Sequence, residues 1–182
     1  MVAMPIAPDF YTAEMVRAIP EDGNRYEVLW GELLVTPSPI KQHQRIVRRL
    51  LVQLEAYCAR HRLGEPFTSP ADISWSVDTL VQPDVFVVAP EESTGADWAS
   101  VRTLRLVVEV LSPSTARRDR FQKRKLYQTN GVGTLWLVDH DRRTVEVWTP
   151  TATIAVVESE RLTWHPTDAP EPLIVELAEL FG

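Results

Sequence analysis

The sequence predicts an α/β fold, a mixed β-sheet flanked by helices with a β-hairpin near the N-terminus. Three observations lead there. Leu104-Arg-Leu-Val-Val-Glu-Val-Leu111 is a near-continuous apolar run, the pattern of a central strand covered on both faces. Lys41 to His61 carries apolar residues at the 3.6-residue period of one long helix. From Leu104 to Val138 the order is strand, helix, strand, which calls for a crossover and a parallel pair.

Each element has its own signal. A short helix is expected near Tyr11 to Ala18. Arg25 to Thr36 reads as the hairpin, two β-rich runs around Gly31, closed by Thr36-Pro-Ser-Pro39. In the long helix Ile46, Val47, Leu50, Leu51, Leu54, Tyr57 and Cys58 form one stripe, and Leu63-Gly64 ends it. Ala71 to Val77 alternates like a half-buried strand. Val81 to Val88 reads as a single buried strand, with Pro83 tolerable only near its start. Pro90 to Ser100 is a polar loop. After the central strand, Ser112-Pro-Ser-Thr115 supplies a helix cap, and that helix should run to about Thr129. Thr134 to Val138 and Thr144 to Trp148 are strands, with Asp139 opening the turn between them. One or two weaker strands, Thr153 to Glu158 and Leu162 to Trp164, and a helical turn over Glu176 to Phe181 complete the chain. Residues 1–182 read as a single domain with its core at about 20–150.

Composition narrows the function. The chain of 182 residues is 45% hydrophobic and 24% charged, so it can bury a sizeable core. No stretch approaches the roughly 20 apolar residues of a membrane helix. Met1 to Phe10 is apolar but lacks the charged start of a signal peptide. The single cysteine, Cys58, excludes an internal disulfide and falls on an apolar helix face. A cytoplasmic location is the expectation. The net charge of −6 argues against non-specific coating of nucleic acid, yet six of the nine residues from Arg117 to Lys125 are basic, and Arg45, Arg48 and Arg49 form a second cluster. The six tryptophans are expected to pack at the core or its edges.

Chemistry concentrates at two acids. Glu109 interrupts the central strand, where a bare carboxylate would cost several kcal/mol, so it must be protonated, paired or metal-bound. Asp84 stands at the mouth of a similar run. Two acids entering one core from neighbouring strands suit a hard, oxygen-seeking cation such as Mg²⁺ or Mn²⁺. Asp119, Lys123 and Tyr127, spaced i, i+4, i+8, share one face of the following helix. That face could bring Lys123 over Glu109. Metal-assisted phosphodiester hydrolysis needs such a group: carboxylates for the ion, an ammonium to orient water or balance charge, and basic flanks for phosphate.

The string Gly31-Glu-Leu, His43, Val81-Gln-Pro-Asp84, Val108-Glu-Val-Leu-Ser-Pro-Ser-Thr115, Asp119, Lys123, Tyr127, Gly131-Val132 and Leu135-Trp-Leu-Val-Asp139 resembles the bacterial Uma-two family, a branch of the PD-(D/E)XK nuclease superfamily. The resemblance spans about residues 20–150. It implies a restriction-endonuclease-like core, a divalent metal, DNA as substrate and a cytoplasmic protein. By analogy, cutting a duplex implies a homodimer. The superfamily pattern places lysine two residues after the strand acid, where this chain has Leu111. The resembling branch supplies it from the next helix, which points to Lys123. Lys125 is rotated about 200° away and is the rival. A third acid is expected from Glu27 or Glu32, with Glu27 favoured by its place inside a strand. His43 is expected to meet phosphate or assist the metal. Gln82, Ser112, Arg118, Asp119 and Tyr127 are expected to support the site or touch substrate. Asp84→Asn and Lys123→Ala should abolish cleavage and leave the melting temperature nearly unchanged. The alternatives are an inactive nucleic-acid or protein-binding module, or a small-molecule phosphate-ester hydrolase, on the same fold.

Overall fold

The structure is a computed structural model that describes residues 8–95 and 97–182. The expectation for the N-terminal segment rests largely on residues 1–7, outside the described residues. The chain begins with helix α1 (Ala13–Arg17), then strands β1 (Arg25–Leu29) and β2 (Glu32–Thr36). They pair antiparallel from Arg25 opposite Thr36 to Leu29 opposite Glu32. Trp30 and Gly31 make the turn with φ of 49° and 83°, the two positive values a tight hairpin favours.

Helix α2 (Lys41–His61) follows, with Ile46, Leu50, Leu54 and Cys58 fully buried along its stripe. It ends at Arg62, in the left-handed conformation. Strand β3 (Glu65–Thr68) was not expected. Four residues containing Pro66 give little strand signal, and Pro66 is tolerated because β3 is the edge of its sheet.

The single strand expected from Val81 to Val88 is two strands. Strand β4 (Ile73–Ser76) turns into β5 (Thr79–Val81), which also pairs with β1. Gln82-Pro83-Asp84 then carries the chain into β6 (Val85–Val88) of another sheet. Pro83, which has no N–H for a ladder, sits at that break. One sheet thus has the order β2-β1-β5-β4.

The larger sheet is built on the central apolar run, strand β7 (Leu104–Val110). The crossover helix starts as α3 (Ala116–Arg118), widens into a π turn (Asp119–Lys123) and continues as α4 (Arg124–Thr129). It returns to β8 (Leu135–Asp139), parallel to β7, and then to β9 (Thr144–Trp148) and β10 (Val156–Glu158). The sheet order is β10-β9-β8-β7-β6-β3. Strands β11 (Arg161–Trp164) and β12 (Leu173–Glu176) pair separately, and α5 (Leu177–Phe181) closes the chain. Strand β12 was also not expected, because its four residues run straight into the helix.

Alternation decides what faces what. On β7, Leu106, Val108 and Val110 pack with α2, α5 and the β11–β12 pair. Val107 and Leu111 pack on the other face with Leu126 and Tyr127 of α4 and Leu29 of β1. Glu109 shares the parity of Val107 and Leu111, so it points into the space between α4 and the hairpin.

Candidate active site

Strand β1 presents Arg25, Glu27 and Leu29 on one face. Glu27 is fully buried, and its Oε1 accepts from the Gln82 backbone N–H at 2.8 Å and the Lys123 ammonium at 2.8 Å. Lys123 also donates to Oε1 of Glu109 at 3.0 Å, and Tyr127 donates its hydroxyl to that same oxygen. Asp119, one turn earlier, is buried and within electrostatic range of Lys123. The π turn keeps Asp119 and Lys123 on the inner side of the crossover helix; such widened turns recur at functional sites.

Asp84 lies across from Glu109, since Val85 pairs with Val108 in the antiparallel β6–β7 ladder. Its Oδ2 accepts from the Val110 N–H at 2.8 Å and contacts His43 Nε2 at 3.0 Å. Its Oδ1 accepts from Arg25 at 2.7 Å. A cleft of about 850 Å³ opens on this outer half, lined by Arg25, His43, Arg48, Ser69, Gln82 and Asp84 among others. Glu27, Glu109, Asp119 and Lys123 lie buried behind it.

Burial and charge split the acids. Burial pushes Glu109 up to about 8, with Lys123 opposing and Asp84, Asp119 and Glu27 adding to the rise. Burial also raises Asp119, against the Lys123 charge and the Thr115 hydroxyl. For Asp84 burial again pushes upward, but the His43 hydrogen bond and the Arg25 charge outweigh it and hold the carboxyl below the ordinary range. Burial would neutralise Lys123, yet Glu109, Glu27 and Asp119 together keep it charged.

The expected residues therefore meet in part. Asp84, Glu109, Lys123, Glu27, His43, Asp119 and Tyr127 converge. Glu32 is exposed and bonds Gln122, so Glu27 is the acid beside Lys123. Lys125 is exposed, 5.9 Å from the Trp30 ring centroid. Gln82 touches the cluster through its backbone, while its side chain bonds Asp72. Ser112 bonds Ser114 and Thr115 within the helix-capping turn, and Arg118 donates to Thr36. The basic run is not a free strip for phosphate. Arg120 is held by Asp139 and Glu146, and Arg124 lies over Trp148. Arg25 was missed; the available signal was its i, i+2 spacing from Glu27 on one strand face.

By donor chemistry the group fits a hard divalent cation. Its oxygens are hard ligands, and Oε2 of Glu27 is buried with no hydrogen-bond partner. Burial, with a smaller push from Asp84, Asp119 and Glu27, favours the protonated form of Glu109, and a divalent ion beside it would favour the charged form. Among the described residues, however, no three His, Cys, Asp or Glu side chains close into a metal-binding group. The Lys123 ammonium stands between Glu27 and Glu109.

The chain matches the Uma2 family, described as "Putative restriction endonuclease", over residues 13–177. It belongs to that family. A solved protein from Anabaena variabilis ATCC 29413, described as a putative nuclease belonging to DUF820, superposes with a TM-score of 0.79 over 93% of this chain and 97% of its own. The two are 21% identical, so the likeness shows a shared fold. No curated protein matches the chain. Among the described residues no helix is long and apolar enough to cross a membrane.

Proposed function

We propose that this protein is a divalent-metal-dependent nuclease that hydrolyses DNA phosphodiester bonds. Residues 1–182 act as one domain in this reading, and the enzyme works in the cytoplasm as a homodimer. The observation that carries the proposal is the buried ammonium of Lys123 shared between Glu27 and Glu109, with Asp84 facing them from the next strand. Packing alone gives no reason to gather these groups on one side of a sheet.

Asp84 and Glu109, with the unpartnered oxygen of Glu27, would hold Mg²⁺ or Mn²⁺. The ion would polarise a phosphoryl oxygen and lower the pKa of a bound water. Lys123 keeps Glu27 and Glu109 in place with two of its three donors, and its third would be free to orient a water at the ion. Tyr127 and Lys123 both bind Oε1 of Glu109, which turns Oε2 toward other partners. His43 Nε2 lies 3.0 Å from Oδ2 of Asp84, a contact that orients the imidazole beside the cleft.

The test is cleavage of supercoiled, linear duplex and single-stranded DNA with Mg²⁺ or Mn²⁺ and with EDTA. Nicking or degradation is expected only with metal, and Asp84→Asn and Glu109→Gln should each lower it by about a hundredfold or more. Absence of metal-dependent cleavage on all three substrates would defeat the proposal. The engagement of both Asp84 oxygens by Arg25, His43 and Val110 favours one rival, an inactive DNA-binding module. Binding that persists undiminished in EDTA, without cleavage, would select it.

A further inference from the structure

We infer that Arg25 is the phosphate-binding residue of this cleft, a role that rests on the nuclease reading. Strand β1 sends two opposite charges from one face: Glu27 inward to Lys123, and Arg25 outward to the cleft. The Arg25 guanidinium spends a single nitrogen on the protein. Nη1 donates to Asp84 Oδ1 at 2.7 Å and to the Gln82 carbonyl at 3.3 Å. Among the described residues Nε and Nη2 have no hydrogen-bond partner, and neither is a sealed, orphaned donor. The side chain is 23% exposed and lines the cleft. Two spare donors in a rigid fork thus face the open space beside an acid of the proposed centre. That geometry matches two oxygens of a phosphodiester.

The other cations near the cleft serve less well. Arg17 is paired with Asp72 at 3.4 Å, and Arg48 projects from the exposed side of α2. Neither touches an acid of the cluster among the described contacts. Among the described arginines and lysines, Arg25 alone joins the two: it holds Asp84 with one nitrogen and leaves the fork for the strand to be cut.

The test measures binding of short DNA duplexes and single strands by fluorescence anisotropy, in Ca²⁺ and in EDTA. Each oligonucleotide series replaces one phosphate at a time with an uncharged methylphosphonate. Arg25→Gln should weaken binding about tenfold or more and flatten its salt dependence by about one unit of log–log slope. One methylphosphonate position should weaken the wild type to a similar extent and leave Arg25→Gln unaffected, the mark of a direct contact. Arg25→Lys, which retains the charge beside Asp84, guards against misfolding and should also bind less tightly for want of the fork. Lys125→Ala, remote from the cleft, should bind as the wild type does. Unchanged binding by Arg25→Gln or Arg25→Lys overturns the assignment. So does a methylphosphonate penalty that persists in Arg25→Gln. Either result alongside metal-dependent cleavage leaves the nuclease reading standing; a wild type that binds no DNA at all overturns both.

Discussion

Lys123 neutralises two acids inside a space closed to solvent, and that makes it structural as well as chemical. The sequence suggested that Lys123→Ala would leave the melting temperature nearly intact. Its burial at 1% exposure overturns that expectation. Removing one partner of a buried ion pair costs about 3–5 kcal/mol, because the acids left behind have no counter-charge. The loss should shrink at low pH, where Glu109 can take a proton instead. Urea denaturation of Lys123→Ala and wild type at pH 5 and pH 8 checks this, with the larger gap expected at pH 8. Glu109 gives a second test. Its folded pKa lies above its unfolded value near 4.5, so the folded state binds the extra proton. The stability this contributes is full below about pH 4.5 and is lost as pH rises toward about 8. Glu109→Gln lacks that slope, so its stability relative to wild type should rise between pH 5 and pH 8 in the same titration. The acids themselves were legible in the sequence, because a carboxylate within an apolar strand must be explained. Arg25 was not, because an arginine near a hairpin start reads as solvated until its partner is seen.

Among the elements, the hairpin that carries Glu27 and Arg25 depends on its turn. Gly31 has a φ of 83°, and a Cβ there would sit 2.3 Å from the ring of Phe10. Gly31→Ala should therefore cost about 1–2 kcal/mol by chemical denaturation, from the left-handed backbone alone, plus whatever Phe10 must move. Long periodic elements were read correctly: α2 was expected at Lys41 to His61 and is found there. The failures share a cause. Strands β3 and β12 have four residues each, too few for a period to show. The break at Gln82-Pro83-Asp84 was visible only as a proline. That the chain changes sheets there is a tertiary fact. The change matters, because it lays the Gln82 N–H against Glu27 and Asp84 against Arg25 and His43.

At the scale of the whole molecule, the class of fold followed from the strand–helix–strand order and the buried run, while the division of the described strands into three sheets did not. The proposed homodimer is a separate matter, open to direct measurement. Light scattering behind size exclusion should give twice the 20.7 kDa chain mass, and a value matching one chain would remove that part of the reading.

The arrangement of charge also bears on how the protein is made. In many metalloproteins the ion is what balances the ligands, and chelation unfolds the chain. Here an ammonium and a guanidinium already do that balancing. Synthesis and folding can then finish in a cell poor in available Mg²⁺ or Mn²⁺, and a dialysed preparation should melt at the same temperature with or without EDTA. On the proposed metal-dependent reading, loading would be a later, reversible event, and the chain would exist as a finished but idle protein until the ion arrived.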